Sequence, residues 1–189
     1  MHAYDRSSFF EPFNIISTWV ATAGAPIPFF TRLDESKAFN RDRVAPTENG
    51  LRGKVHDPTA RELGGVAGNA GLFSTVRDLA KFANAMIDAT IASPSTMAEF
   101  VTPQANGRAL GWDMPEGRSS AGDYFSASSY GHTGYTGTSI WIDPERDLFV
   151  VLLTNRVYPT AANQKHIALR RAVHDQVELA VEDVVIAVR

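Results

Sequence analysis

The sequence predicts an α+β fold: an antiparallel sheet covered by a C-terminal helix, with a helical region beside it. Three stretches carry that expectation. A capped apolar stripe begins at Ser74 and Thr75, two β-rich runs separated by a turn fill 138–154, and a helical period returns from Asn163. Helices followed by strands, rather than a regular alternation, argue against a parallel sheet.

Taken in order, residues 1–30 form a leader of unknown character. Ile15, Ile16, Trp19 and Val20, then Ala21, Ala23, Gly24 and Ala25, look like the apolar and small-residue parts of a signal peptide. Asp5 and Glu11 spoil the basic n-region, however, and Pro26 and Pro28 sit where cleavage would fall. Residues 31–60 hold no lasting period and read as an extended surface segment. Gly64, Gly65, Gly68 and Gly71 then crowd into eight residues, which implies positive φ angles or close backbone approach.

The first firm helix starts at Ser74 or Thr75 as cap, carries Asp78 in its first turn, and aligns Leu79, Phe82, Ala83 and Met86. Ser93 as cap and Pro94 at the first helical position announce a second helix of two turns, with Met97, Phe100 and Val101 on one side. Ala109–Met114 and Tyr130–Tyr135 are candidate strands, and Thr138–Ile142 and Leu148–Thr154 form a hairpin. Its turn is Asp143-Pro144-Glu145-Arg146-Asp147, where Pro144 presets φ and Asp143 bonds ahead to the backbone. The closing helix presents Leu169, Ala172, Val173, Val177, Ala180, Val181, Val184 and Val188 to the sheet, leaving His166 and His174 solvated.

Composition narrows the function classes. With 189 residues, 44% hydrophobic and 21% charged, the chain has the makeup of a folded globular domain. A net charge of -3 without a basic cluster lacks the footprint that phosphate backbones require, so nucleic acid is not an expected partner. No apolar run approaches the length of a membrane helix. The absence of cysteine removes thiolate metal sites and cysteine nucleophiles.

The five histidines form no H-E-x-x-H pair, so no metal is expected. His56 and Asp57 are a conceivable acid-base pair, although His-Asp before Pro58 is also an ordinary turn. The glycine cluster lacks the Lys-Ser/Thr end of a phosphate loop. The informative motif is His132-Thr133-Gly134, a basic residue, a hydroxyl and a glycine on a strand, the pattern of the third motif in S-x-x-K hydrolases.

Its context extends the match. Gly71-Leu72-Phe73-Ser74-Thr75-Val76-Arg77-Asp78-Leu79, Leu110-Gly111-Trp112-Asp113, Gly131 through Gly137, Trp141-Ile142-Asp143-Pro144 and Leu152-Leu153-Thr154-Asn155-Arg156 follow in order. Ala45-Pro46-Thr47-Glu48 and Arg52-Gly53-Lys54-Val55-His56-Asp57-Pro58 add two further blocks. Together they resemble the C-terminal half of the serine β-lactamase and penicillin-binding-protein-like family, nearest to its esterase, peptidase and class C β-lactamase-like branch, over residues 44–175.

The resemblance implies an incomplete β-lactamase/transpeptidase-like fold at 31–189 and an acyl-enzyme hydrolase of esters, amides or β-lactams, without a cofactor. It makes His132, Thr133 and Gly134 substrate-binding residues and the backbone N–H of Tyr135 one half of the oxyanion hole. It also implies a periplasmic or secreted full-length protein. Yet no serine here has lysine three residues on, and no tyrosine has asparagine two residues on. The chain therefore reads as a C-terminal portion that lacks the nucleophile motif and is inactive alone. Its sheet is expected to show an unpaired edge, and a separate N-terminal half is a conceivable partner. A non-catalytic ligand-binding or partner-assembling module of the same fold is the alternative.

Overall fold

The computed structural model describes residues 15–22, 44–65 and 67–187. Expectations placed on residues 1–14 and 23–43, and on the side chains of Val184 and Val188, fall outside it. Strands β1 (Ile15–Thr22), β2 (Tyr130–Thr133), β3 (Thr138–Asp143) and β4 (Leu148–Thr154) form an antiparallel sheet in the order β1-β4-β3-β2. Helices α1 (Pro58–Glu62), α2 (Val76–Ile87) and α3 (Pro94–Val101) precede β2, and α4 (His166–Ala187) follows the sheet. The α+β expectation holds.

The caps are those the sequence announces. Thr75 Oγ1 accepts from the Asp78 N–H at 3.2 Å and donates to the Asp78 carboxylate at 2.9 Å, closing the first turn of α2. Ser93 Oγ does the same for Thr96 N–H in α3, also at 3.2 Å. Between β3 and β4, Asp143 Oδ1 accepts from the N–H groups of Glu145 and Arg146 at 3.1 and 3.3 Å. Asp147 takes φ 52° to complete the turn.

Three expectations are corrected. The sheet edge at β4 is not bare, because β1 pairs along it from Ser17↔Leu153 to Thr22↔Leu148. Residues 15–22, inside the segment read as a leader, are rich in β-branched and aromatic residues, so the same apolar content that suggested an h-region serves a strand. Ala109–Met114 is not a strand. Ala109 N–H bonds to Trp112 O at 3.0 Å and Gly111 takes φ 80°, folding the segment on itself and leaving a single bridge from Asp113 to Gly131. Third, His174 is fully buried, not solvated.

The sheet is covered on both faces. On one, Tyr130, Ile142, Phe149 and Val151 pack with Ala83 and Met86 of α2 and Met97 of α3. On the other, Trp141 and Val150 pack with Ala121, Phe125 and Val177 of α4. Burial of each such side chain stabilises by about 1.5–3 kcal/mol, which is why β4 is buried along both faces.

Helix α4 meets the sheet with a polar stripe one turn apart: Arg170, His174 and Glu178 are all buried. His174 Nδ1 lies 2.9 Å from Ser120 O, and Nε2 lies 3.4 Å from Ser139 Oγ on β3. Glu178 pairs with Arg146 at 3.4 Å, and Arg146 with the buried Asp143 at 3.1 Å. Asp143 also accepts from Ser126 N–H and Oγ. The loop before β2 is stapled to the same helix by Arg171 to Asp123 and by Asp123 N–H to Asp175, each at 2.6 Å.

Burial pushes the His174 pKa down to about 4. The unfolded chain, with a histidine near 6.5, therefore binds a proton that the folded chain refuses, and stability falls as pH drops through that window. Chemical denaturation between pH 7 and pH 4 should lose about 1.4 kcal/mol per pH unit from this group, up to about 3 kcal/mol. His174→Asn, which keeps a donor for Ser120 O, should remove that slope; an unchanged slope would rule His174 out as its source.

Candidate functional site

Strand β2 sets the site. Its four residues alternate between the faces: Tyr130 packs in the α2 core, Gly131 opposes Trp141, His132 returns to the α2 side and Thr133 opposes Ser139. Gly131 is demanded by packing, because a Cβ there would come within 2.4 Å of both the Ile140 carbonyl oxygen and the Trp141 ring. His132 is exposed, and its Nδ1 lies 2.8 Å from the Thr133 carbonyl. A carbonyl only accepts, so Nδ1 carries the proton and Nε2 is the nitrogen left for a ligand.

The turn after β2 carries the other motif residues. Gly134 N–H donates to Thr138 O at 2.8 Å and Gly137 N–H to Gly134 O at 3.0 Å. Gly137 takes φ 109°, and Thr154 Oγ1 donates to its carbonyl. Tyr135, exposed, lies past the last β2–β3 pair at Thr133↔Ser139. Two neighbours, Arg156 and His56, orient it. Arg156 Nε donates to the Tyr135 carbonyl at 2.7 Å, and the guanidinium carbon sits 4.0 Å from the centre of the Tyr135 ring. Arg156 N–H holds Thr136 O at 2.9 Å, and His56 stacks on the ring at 5.5 Å.

The upstream blocks are brought to the same place. Asn155 Nδ2 donates to Pro46 O at 2.7 Å, Ala161 N–H donates to Glu48 Oε1 at 3.1 Å, and His56 Nε2 lies 3.4 Å from Glu48 Oε2. Asp57 instead caps α1, accepting from Ala60 N–H at 2.7 Å. His56 and Asp57 thus serve different partners and do not form a catalytic pair. Sequence reading also missed Arg156 as the residue that braces this turn. Arg156 stands at the end of one of the motif blocks, but a buried arginine whose side-chain hydrogen bonds go to backbone carbonyls leaves no signature in residue spacing.

No described histidine, aspartate or glutamate joins two others in a group that could hold a metal ion. Among the described residues, Tyr130 offers no general base, because burial pushes its hydroxyl up to about 12. Ser139 and His174 approach each other, but both are sealed between sheet and helix. The described residues bring together one exposed imidazole, one hydroxyl and a braced turn.

Comparison with known proteins decides the family. The Beta-lactamase family model matches residues 5–175. The chain belongs to the beta-lactamase family. The match begins well upstream of residue 44, where the motif blocks begin, and it takes in β1. A Salmonella gallinarum protein named "Putative D-alanyl-D-alanine carboxypeptidase" is 38% identical over 130 residues, 62% of this chain and 30% of that protein. Its namesake from Salmonella newport is 37% identical over the same shares. The chain thus spans about 30% of the length of these curated relatives. The crystal structure of a beta-lactamase from Mycobacterium bovis matches with TM-score 0.53 and 28% identity, over 59% of this chain and 46% of that one. The sheet and helices described above are a partial beta-lactamase fold. No helix among the described residues is long and apolar enough to cross a membrane.

Gly131→Ala should lower unfolding free energy by about 1–3 kcal/mol in urea denaturation, the usual cost of overpacking. Gly134→Ala should cost less. Its Cβ would meet only the Thr138 hydroxyl at 2.3 Å, which can rotate away, whereas the neighbours of Gly131 are backbone and core. Equal losses would show that the close approach at Gly131 does not govern.

Proposed function

We propose that this chain is the C-terminal portion of a serine hydrolase that cleaves an ester, amide or β-lactam through an acyl-enzyme. The observation that carries the reading is the His132-Thr133-Gly134 strand ending in a turn held by Arg156, within a chain of the beta-lactamase family. In this reading His132 Nε2 and the Thr133 hydroxyl, on opposite sides of β2, each contact the substrate. Gly134 permits close approach, and the Tyr135 N–H donates to the developing oxyanion, an interaction typically worth about 3 kcal/mol of transition-state stabilisation. The names of the Salmonella relatives favour a D-alanyl-D-alanine peptide among the amides.

The attacking serine is supplied from outside these 189 residues, since no serine here has lysine three residues on. The chain alone therefore does not turn over substrate. That same observation favours a second reading, a module that binds the ligand or a partner chain without catalysis. Saturable binding of an acylated D-alanyl-D-alanine peptide without turnover fits both readings. Turnover restored by adding a family segment that carries S-x-x-K and Y-x-N selects the first.

The intact mass of the folded chain after fluorophosphonate treatment should be unchanged, because the reagent labels only activated serines. A stoichiometric adduct on one serine would overturn the assignment of an external nucleophile and relocate the site to that residue.

A further inference from the structure

We propose that Asn106 is a site of spontaneous covalent modification, cyclising onto Gly107 and reopening as aspartate or isoaspartate, and that the isoaspartate product loosens the segment bracing the outer edge of β2. The site lies off the motif strand and stands whether or not the chain takes part in catalysis.

The sequence offers two equivalent starting points. Only Asn49 and Asn106 precede glycine, and glycine puts no Cβ beside the nitrogen that must attack. The two pairs also share a backbone: Asn49 and Gly50 take φ 58° and 68°, Asn106 and Gly107 φ 58° and 65°, the paired positive values of a tight turn. Both asparagines are exposed.

Their hydrogen bonds differ. At Asn49 the nucleophile is engaged: Gly50 N–H donates to Thr47 O at 3.0 Å, between Thr47 N–H to Leu51 O at 2.9 Å and Leu51 N–H to Glu48 O at 3.3 Å. Glu48 is held in addition by Ala161 N–H. Among the described residues, the Gly107 N–H has no acceptor, so no hydrogen bond must break before its nitrogen approaches the Asn106 side chain. Asn106 also lines an open cavity of about 550 Å³, which admits the water that the reaction consumes.

The chemistry balances without a cofactor. The Gly107 nitrogen attacks Asn106 Cγ, the new N–Cγ bond replaces the bond to the side-chain nitrogen, and that nitrogen leaves as ammonia with the proton the backbone gives up. One water then opens the ring at either carbonyl, leaving a carboxylate. Isoaspartate routes the main chain through the side-chain methylene and lengthens the turn. That turn is closed by Gln104 N–H to Arg108 O at 2.7 Å and by Met114 N–H to Gly107 O at 2.8 Å. It has little slack, because an atom added at the Gly107 Cβ position would meet Glu116 Oε2 at 2.7 Å. The same segment supplies Asp113, whose N–H and carbonyl pair with Gly131 at 2.7 and 3.0 Å on the edge of β2 away from β3.

Incubation of the folded chain in mildly alkaline buffer, followed over time by peptide mapping with mass spectrometry, tests the proposal. Asn106 should gain the mass of the NH2-to-OH exchange at least several-fold faster than Asn49, and enzymatic methylation of isoaspartate should label its peptide. In the urea-unfolded chain the two should react at similar rates. Amide exchange at Gly131 should rise in the aged chain. Freshly prepared Asn106→Asp, which carries the charge without the lengthened backbone, should exchange there as the parent does. Equal or reversed rates in the folded chain, a preference of the same size in urea, or no change at Asn106 while the unfolded chain is modified would overturn the assignment. Unchanged Gly131 exchange in the aged chain, or an equal rise in the Asn106→Asp variant, would overturn the link to β2.

Discussion

The site depends on what Arg156 does at the end of β4. A buried guanidinium with no carboxylate beside it is tolerated because its donors are occupied by carbonyls of the chain segments it joins: Tyr135 in the β2–β3 turn and Ala161 in the loop before α4. Hydrogen bonds from a charged group contribute about 1.5–3 kcal/mol each, and the ring of Tyr135 under the guanidinium adds a cation–π attraction. The backbone of the turn is thereby held from the strand it does not directly follow. Thr154 reinforces the hold by donating to the Gly137 carbonyl. An oxyanion donor works only when its direction is settled before the ligand arrives, and in the role proposed for the Tyr135 N–H this clamp would settle it.

The same strand divides labour between the two sheet faces. On the α2 face apolar packing dominates, and His132 continues that face past the end of the core. On the α4 face the contact is mixed, with Trp141 and Val150 in the centre and Arg170, His174 and Glu178 around them. Buried polar groups stabilise less than apolar ones of equal size, yet each one fixes a partner: Ser120 and Ser139 for His174, Arg146 for Glu178. The helix is therefore seated in one register against the sheet. That register places the start of α4, and hence Arg170, beside the turn that Arg156 braces.

Local signals were the legible ones. Thr75, Ser93 and Asp143 each act on backbone within three residues, and each was readable as a cap or turn because its partner is fixed by spacing alone. The motif strand was readable for the same reason. What escaped depends on distant partners. The stripe of α4 was read as Leu169, Ala172, Val173 and Val177, when a histidine, an arginine and a glutamate share the buried side with Val173. Polar residues at helical spacing look solvated until the strand they face is known. Residues 15–22 were misread because an apolar run near a chain start fits a leader as well as a strand, and only the open edge of β4 distinguishes the two. The pair His56 and Asp57, read chiefly as an ordinary turn before Pro58, divides accordingly: adjacent in sequence, they turn to Glu48 and to the α1 backbone.

Net charge conceals the electrostatics that matter here. The chain carries -3 overall, a value that shapes long-range steering and argues against polyanion partners. At the cavity beside the motif turn the local balance differs, because two guanidiniums and a helix N-terminus converge where, among the described residues, no acidic side chain lines the wall. Fields from buried groups are poorly screened, so a few well-placed cations govern the local potential whatever the surface carries. Arg156 belongs to both arrangements, since one nitrogen braces the turn bearing the Tyr135 N–H while its charge faces the cavity.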